Sequence, residues 1–166
     1  MDELSAAVFP GSFDPLTVAH LAIADAAYEQ LKVDRVDLVV SHSPLGKKAG
    51  EQAPVADRLA AIAAAAAHGR PWMRGVESKA KLVADIAVGY EFVVVGGDKA
   101  LQLWDPRFYG RSEEKRDEAV ARLPTIALAR RPDGVVPPGC VELDLPEHLG
   151  DVSSTAVRGG RIEWKA

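Results

Sequence analysis

With a single cysteine, Cys140, in 166 residues, the chain can form neither an internal disulfide nor a multi-cysteine zinc site. Aromatic residues are scarce at 6%, and no apolar run approaches the ~20 residues needed to cross a bilayer. The start, Met1-Asp2-Glu3, puts no basic stretch ahead of its first apolar run. A secretory signal is therefore not expected, and the expected location is cytoplasmic, without membrane association. Basic excess is lacking too: the net charge of -4 disfavours general nucleic-acid binding, though it allows a small anion held by a few local cations. Several signatures are missing. No G-x-G-x-x-G follows a strand candidate, no G-x-x-x-x-G-K-[ST] occurs, and there is no G-x-S-x-G. These absences exclude a dinucleotide-binding dehydrogenase, a P-loop NTPase and a nucleophile-elbow hydrolase, and the four histidines lack zinc-protease spacing.

What is present is the composition of a globular chain, 48% hydrophobic and 27% charged, of a length that suits one domain over residues 1–166. No internal repeat or low-complexity linker interrupts it. Short apolar runs alternate with helical patterns. Strands are predicted at Ala6–Phe9, Val36–Val40, Trp72–Val76, Phe92–Val95, Thr125–Ala129 and, weakly, Cys140–Leu143. Helices are predicted at Thr17–Lys32, Ala56–His68, Lys79–Val88, near Asp98–Leu103, at Glu113–Leu123 and at Ser153–Arg158. In the first, Leu21, Ala24, Tyr28 and Leu31 share a face. Ala60–Ala67, rich in the best helix former, reads as a buried, tightly packed helix. The alternation predicts an α/β fold: a Rossmann-like open parallel sheet of about five strands, with helices on both faces. Ligands of such sheets lie beyond the carboxyl ends of the strands, which directs attention to residues 10–20, 41–48, 96–104 and 153–158.

The first of these reads Phe9-Pro10-Gly11-Ser12-Phe13-Asp14-Pro15-Leu16-Thr17-Val18-Ala19-His20. Gly11, directly after a strand, lets backbone amides approach a ligand closely. Thr17 suits the cap of the next helix, and His20 follows one turn along the same face. The pair aims a hydroxyl and an imidazole at one point over a helix N-terminus, where an anion is favoured. Asp14-Pro15 closes the turn. Near the other end, Asp151-Val152-Ser153-Ser154-Thr155-Ala156-Val157-Arg158 offers hydroxyls, free helix amides and a guanidinium. Between them lie the lysine loop Ser41-His42-Ser43-Pro44-Leu45-Gly46-Lys47-Lys48, the stretch Val95-Gly96-Gly97-Asp98 continuing to Trp104, and Ala129-Arg130-Arg131-Pro132.

The first string resembles the G-[ST]-F-D-P-x-[HT]-x-G-H signature of the HxGH nucleotidyltransferase superfamily, matching at Gly11, Ser12, Phe13, Asp14, Pro15, Thr17 and His20. Ala19 stands where that family has glycine, and its methyl narrows the space for a phosphate. Ser153 to Arg158 resembles the family's I-S-S-T-x-[IV]-R element. The lysine loop is similar to its P-P-H-K loop with Leu-Gly replacing Pro-His, and Asp57-Arg58-Leu59 resembles, as a weaker match, the R-L-x-M start of its next helix. Gly97, Asp98 and Trp104 resemble a G-x-D…W region of nicotinate-nucleotide adenylyltransferases, with a shortened spacing to the tryptophan.

The resemblance implies in-line attack of a substrate phosphate on the α-phosphorus of ATP, releasing pyrophosphate. It implies catalytic roles for His20, Thr17, Lys47 and Arg158, with Lys47 or Lys48 reaching the reacting phosphates. Gly11, Ser12, Phe13, His20, Gly97, Asp98, Ser153, Ser154, Thr155 and Arg158 would bind ATP. Ser12, Lys48, Trp104 and Arg130 would bind the acceptor. No protein metal ligands are implied; Mg²⁺ would arrive on the triphosphate. The acceptor expected is nicotinate or nicotinamide mononucleotide, and the partners are ATP and this small phosphorylated molecule, with a homo-oligomer possible. Pro-Gly-Ser-Phe-Asp-Pro with Thr17 keeps phosphopantetheine adenylyltransferase open. A cytidylyltransferase and a catalytically silent nucleotide-binding module also stay open.

Overall fold

Six parallel strands form one open sheet in the order β3-β2-β1-β4-β5-β6. The strands are β1 (Ala6–Gly11), β2 (Arg35–Ser41), β3 (Met73–Ser78), β4 (Phe92–Gly96), β5 (Thr125–Ala129) and β6 (Val141–Leu143). The computed structural model describes residues 5–13, 15–41, 54–80, 82–96, 103–129 and 139–145. Helices are α1 (Val18–Gln30), α2 (Val55–Ala67), the one-turn α3 (Val83–Ile86) and α4 (Glu113–Ala121), with a 3-10 turn at Pro106–Tyr109.

Strand alternation divides the core between two faces. Ala7 and Phe9, Val36, Leu38 and Val40, Val94 and Ala127 point to the face covered by α1 and α2. Val8, Val39, Val93 and Val95, Ile126 and Leu128 point to the other, which is covered by Val83 and Ala87 near α3 and by Leu103 and Leu123. Small residues let α1 lie close to the sheet: Ala24 and Ala27 are fully buried, and Leu21, Tyr28 and Leu31 pack beside them. The interior strands β1, β4 and β5 are therefore largely apolar, as a sheet buried on both faces requires, while β2 carries one buried carboxylate, Asp37.

The chain moves from β1 outward to β2 and β3, then returns to the opposite side of β1 for β4, β5 and β6. β1 and β4 thus flank the point where strand order reverses, and a crevice opens there beyond their carboxyl ends. Pairing between them is confined to Ala7↔Phe92 and Val8↔Val93, although both strands run on for three more residues. Pro10, with no N–H to offer a ladder, lies in that unpaired stretch.

The structure bears out the sheet and changes two other sequence expectations. The expected α/β open parallel sheet is present, and the weak sixth strand joins its edge as β6. The Lys79–Val88 helix is reduced to Val83–Ile86: Leu82 before it is extended at φ -90, ψ 138, and Gly89 after it is left-handed at φ 88, so neither flank continues the helix. The alanine-rich half of α2 is not buried: Ala60, Ala61, Ala63, Ala64 and Ala67 are exposed, and only Arg58 and Ile62 of that helix are buried. High propensity made the helix, and a narrow stripe holds it to β3, where Leu59 and Ile62 lie against Gly75. A side chain at Gly75 would meet them at 3.1–3.3 Å. The expected helices near Asp98–Leu103, apart from Leu103, and at Ser153–Arg158 lie outside the described residues.

Candidate active site

At the carboxyl end of β1 the backbone turns sharply into α1. Phe13 carries the turn at φ 48, a left-handed conformation that costs a bulky residue on the order of 1–3 kcal/mol and persists only where its surroundings enforce it. The enforcement is visible. The Phe13 ring folds back over Gly11, so close that a Cβ there would stand 3.0 Å from the ring. The ring is 1% exposed and makes edge contacts with Phe9 at 5.1 Å and with His20 at 5.0 Å. From the other side, the buried guanidinium of Arg58 on α2 donates to the Ser12 carbonyl at 3.0 Å.

Thr17 caps α1 and His20 is its third residue, and the two form a reciprocal capping box. The His20 amide donates to Thr17 Oγ1 at 3.3 Å, and the Thr17 amide donates to His20 Nδ1 at 2.9 Å. Thr17 Oγ1 also lies 3.1 Å from Nδ1. The box has a chemical consequence. A ring nitrogen that accepts a backbone N–H carries no proton, so the neutral imidazole holds its proton on Nε2. Phe9 and Phe13 then fix the ring plane, with centroids 6.1 and 5.0 Å from that of His20. His20 is thereby a donor of fixed direction at a helix N-terminus, suited to a phosphate oxygen. Thr17 is fully buried with its hydroxyl engaged beneath this ring, so the two side chains act in series and do not converge on one point from outside. Ala19 beside them is half-buried. Across the crevice β4 ends on Gly96, where an added Cβ would meet open space.

Five expected site residues, Gly11, Ser12, Phe13, Thr17 and His20, therefore meet in one corner. Trp104 is half-buried against the apolar cluster of the second face. Its backbone is pinned: the Trp104 carbonyl accepts from Arg116 Nη1 at 3.3 Å, and the Leu103 carbonyl accepts from the Tyr109 hydroxyl at 2.9 Å. Lys47, Lys48, Gly97, Asp98, Arg130, Ser153, Ser154, Thr155 and Arg158 lie outside the described residues, as does the turn residue Asp14. Sequence reasoning noted Arg58 only as part of a match to the family's helix start and gave it no role. Its signal was its position: an arginine on the apolar stripe of an amphipathic helix, four residues before Ile62. Among the described residues no group of three His, Cys, Asp or Glu could hold a metal ion, and no helix is long and apolar enough to cross a membrane.

A classic dinucleotide-fold strand order, a crevice at its reversal point and a directed imidazole on a helix N-terminus define a nucleotide-binding domain built for nucleotidyl transfer. The cytidylyltransferase-like family model matches residues 8–160, and the chain belongs to that family of HxGH nucleotidyltransferases. Relatives matched over most of their length agree. A probable nicotinate-nucleotide adenylyltransferase of Rubrobacter xylanophilus is 27% identical, covering 96% of this chain and 81% of that protein. One from Chromobacterium violaceum is 29% identical, covering 92% and 76%. The nicotinic acid mononucleotide adenylyltransferase of Plasmodium falciparum, solved in complex with APC and with NaAD, shares the fold. The TM-scores are 0.69 and 0.70 at 12% and 13% identity, over 95% of this chain and 83% of that one.

Proposed function

We propose that the chain, as a single domain over residues 1–166, is a nicotinate-nucleotide adenylyltransferase. It would transfer AMP from ATP to the phosphate of nicotinate mononucleotide, forming a dinucleotide and releasing pyrophosphate. The observation that carries the chemistry is the Gly11–His20 corner, where a buried cap orients an Nε2–H over a helix N-terminus. The choice of acceptor rests on the likeness to the Rubrobacter and Chromobacterium proteins across nearly the whole chain.

In this reading the acceptor phosphate is already ionised at neutral pH, so the reaction needs no general base. Catalysis is the alignment of two anions and the stabilisation of charge on the leaving pyrophosphate. His20 donates to the α-phosphate, with the Gly11–Ser12–Phe13 backbone beside it. Lys47 or Lys48 bridges the reacting phosphates, and Ser153, Ser154, Thr155 and Arg158 take the β- and γ-phosphates. Gly97 and Asp98 receive the ATP ribose, while Ser12, Trp104 and Arg130 contact the acceptor. Mg²⁺ enters with the triphosphate and is held by its oxygens and water.

The test is pyrophosphate release with ATP or CTP against nicotinate mononucleotide, nicotinamide mononucleotide, phosphopantetheine and glycerol 3-phosphate, with the product weighed by mass spectrometry. ATP with nicotinate mononucleotide should give the highest kcat/KM and a dinucleotide product. A preference for another acceptor or for CTP would move the assignment to that branch. Binding of ATP without turnover on any acceptor would make the chain a silent nucleotide-binding module.

A further inference from the structure

We infer that Arg58 is a positioning residue of the nucleotide site, acting through the Ser12–Phe13 peptide; the inference rests on the nucleotidyltransferase reading above. Arg58 is 5% exposed, although it sits in the first turns of a helix whose neighbouring positions Ala56, Asp57 and Ala60 are all exposed. An arginine in that position normally extends to water, since burying its charge is costly unless it is well bonded. Here it turns inward and donates to the Ser12 carbonyl, 46 positions away in sequence.

That carbonyl belongs to a planar trans peptide, so its oxygen and the Phe13 N–H point in opposite directions. Fixing the oxygen against Arg58 fixes the N–H on the far side. The Phe13 N–H meets no acceptor among the described residues, in a residue that is otherwise packed and held at φ 48. Were the peptide to flip, a carbonyl would replace this donor at the same place and would repel an anion. Arg58 opposes the flip in two ways: it bonds the oxygen, and it holds a positive charge behind the peptide, where that charge also favours an anion in front. The bond joins α2 to the turn before α1, so one guanidinium sets a strained loop that the local sequence alone would not hold.

The experiment measures ATP affinity by calorimetry on the full chain, together with KM for ATP, kcat and Tm, for wild type, Arg58→Met and Arg58→Lys. Arg58→Met keeps the apolar stem and removes the donor. We expect ATP affinity to fall at least tenfold, KM for ATP to rise in parallel, and Arg58→Lys to recover part of the loss. A purely structural arginine would lower Tm and leave the affinity of the folded fraction at the wild-type value, which overturns the inference. Should Arg58→Met fail to fold, Arg58→Lys decides: weaker ATP binding at near wild-type Tm supports positioning, and unchanged binding overturns it. Wild-type protein that binds no ATP would instead overturn the functional reading, and the inference with it.

Discussion

Two polar clusters sit at opposite ends of this sheet, and they are built on opposite plans. At the amino end, Asp37 of β2 is fully buried among strands. It accepts from Arg35 Nε at 2.9 Å, from Arg74 Nε and Nη2 at 2.9 and 3.1 Å, and from the Tyr90 hydroxyl at 2.6 Å. Acceptor and donors answer one another, and Arg35, Asp37 and Arg74 stand on ordinary strand. At the carboxyl end, the Gly11–His20 corner uses its bonds to aim groups. A capped imidazole, a strained phenylalanine and a carbonyl tied to a buried arginine fix the course of the turn beside the crevice. Burial and charge are common to both ends. What separates a site from a strut is backbone: the strut bonds across regular strands, while the corner spends its bonds on holding a strained turn at a helix N-terminus.

The comparison can be broken by substitution at either end. The largest effect is expected for His20→Ala. Removing one preorganised donor costs roughly 10²–10³ in turnover, and loss of half a capping box costs only about 1 kcal/mol of stability; stopped assays of pyrophosphate and a thermal melt read the two. Gly11→Ala should follow, since its Cβ would meet the Phe13 ring at 3.0 Å. Overpacking of this kind costs about 1–3 kcal/mol, and here it should reduce ATP affinity as well, because the ring it displaces braces His20. Asp37→Asn should show the reverse pattern. It should lose about 3 kcal/mol in urea unfolding while the folded fraction keeps its KM and kcat.

The smallest effect concerns Tyr90. Burial, followed by its bond to Asp37, pushes the Tyr90 hydroxyl up to about 12 from 10.0. The folded protein therefore keeps this proton above the pH at which the unfolded chain releases it. The resulting stability is complete below about pH 10 and is lost as pH rises through about 12. Tyr90→Phe should flatten the fall in Tm across that window and leave activity at neutral pH unchanged.

Much of this was legible in the residue order, and the reasons are specific. Phe92–Val95 announced an interior parallel strand because no polar residue interrupts it, and Thr17-x-x-His20 announced a capped helix start because both partners lie within one turn. The extent of the helix after β3 was not legible: an apolar pattern runs to Val88, but an extended Leu82 delays the helix, it ends at Ile86, and Val88 is left 72% exposed. Trp72 looked like part of β3, yet it precedes the strand and stacks on Tyr28 at 4.3 Å, a contact with α1 that periodicity cannot see. Arg58 was hidden for the same reason, since its meaning lies in a carbonyl of another element. The direction of the Thr17 hydroxyl, inward against His20, also needed the three-dimensional arrangement of the turn.

The central claim is that the carboxyl-end corner performs chemistry and the amino-end cluster does not. Its most direct test is pyrophosphate release per folded molecule, with ATP and nicotinate mononucleotide, for His20→Ala and Asp37→Asn side by side. Turnover should fall at least a hundredfold in His20→Ala and stay unchanged in Asp37→Asn. Wild-type turnover in His20→Ala would contradict it.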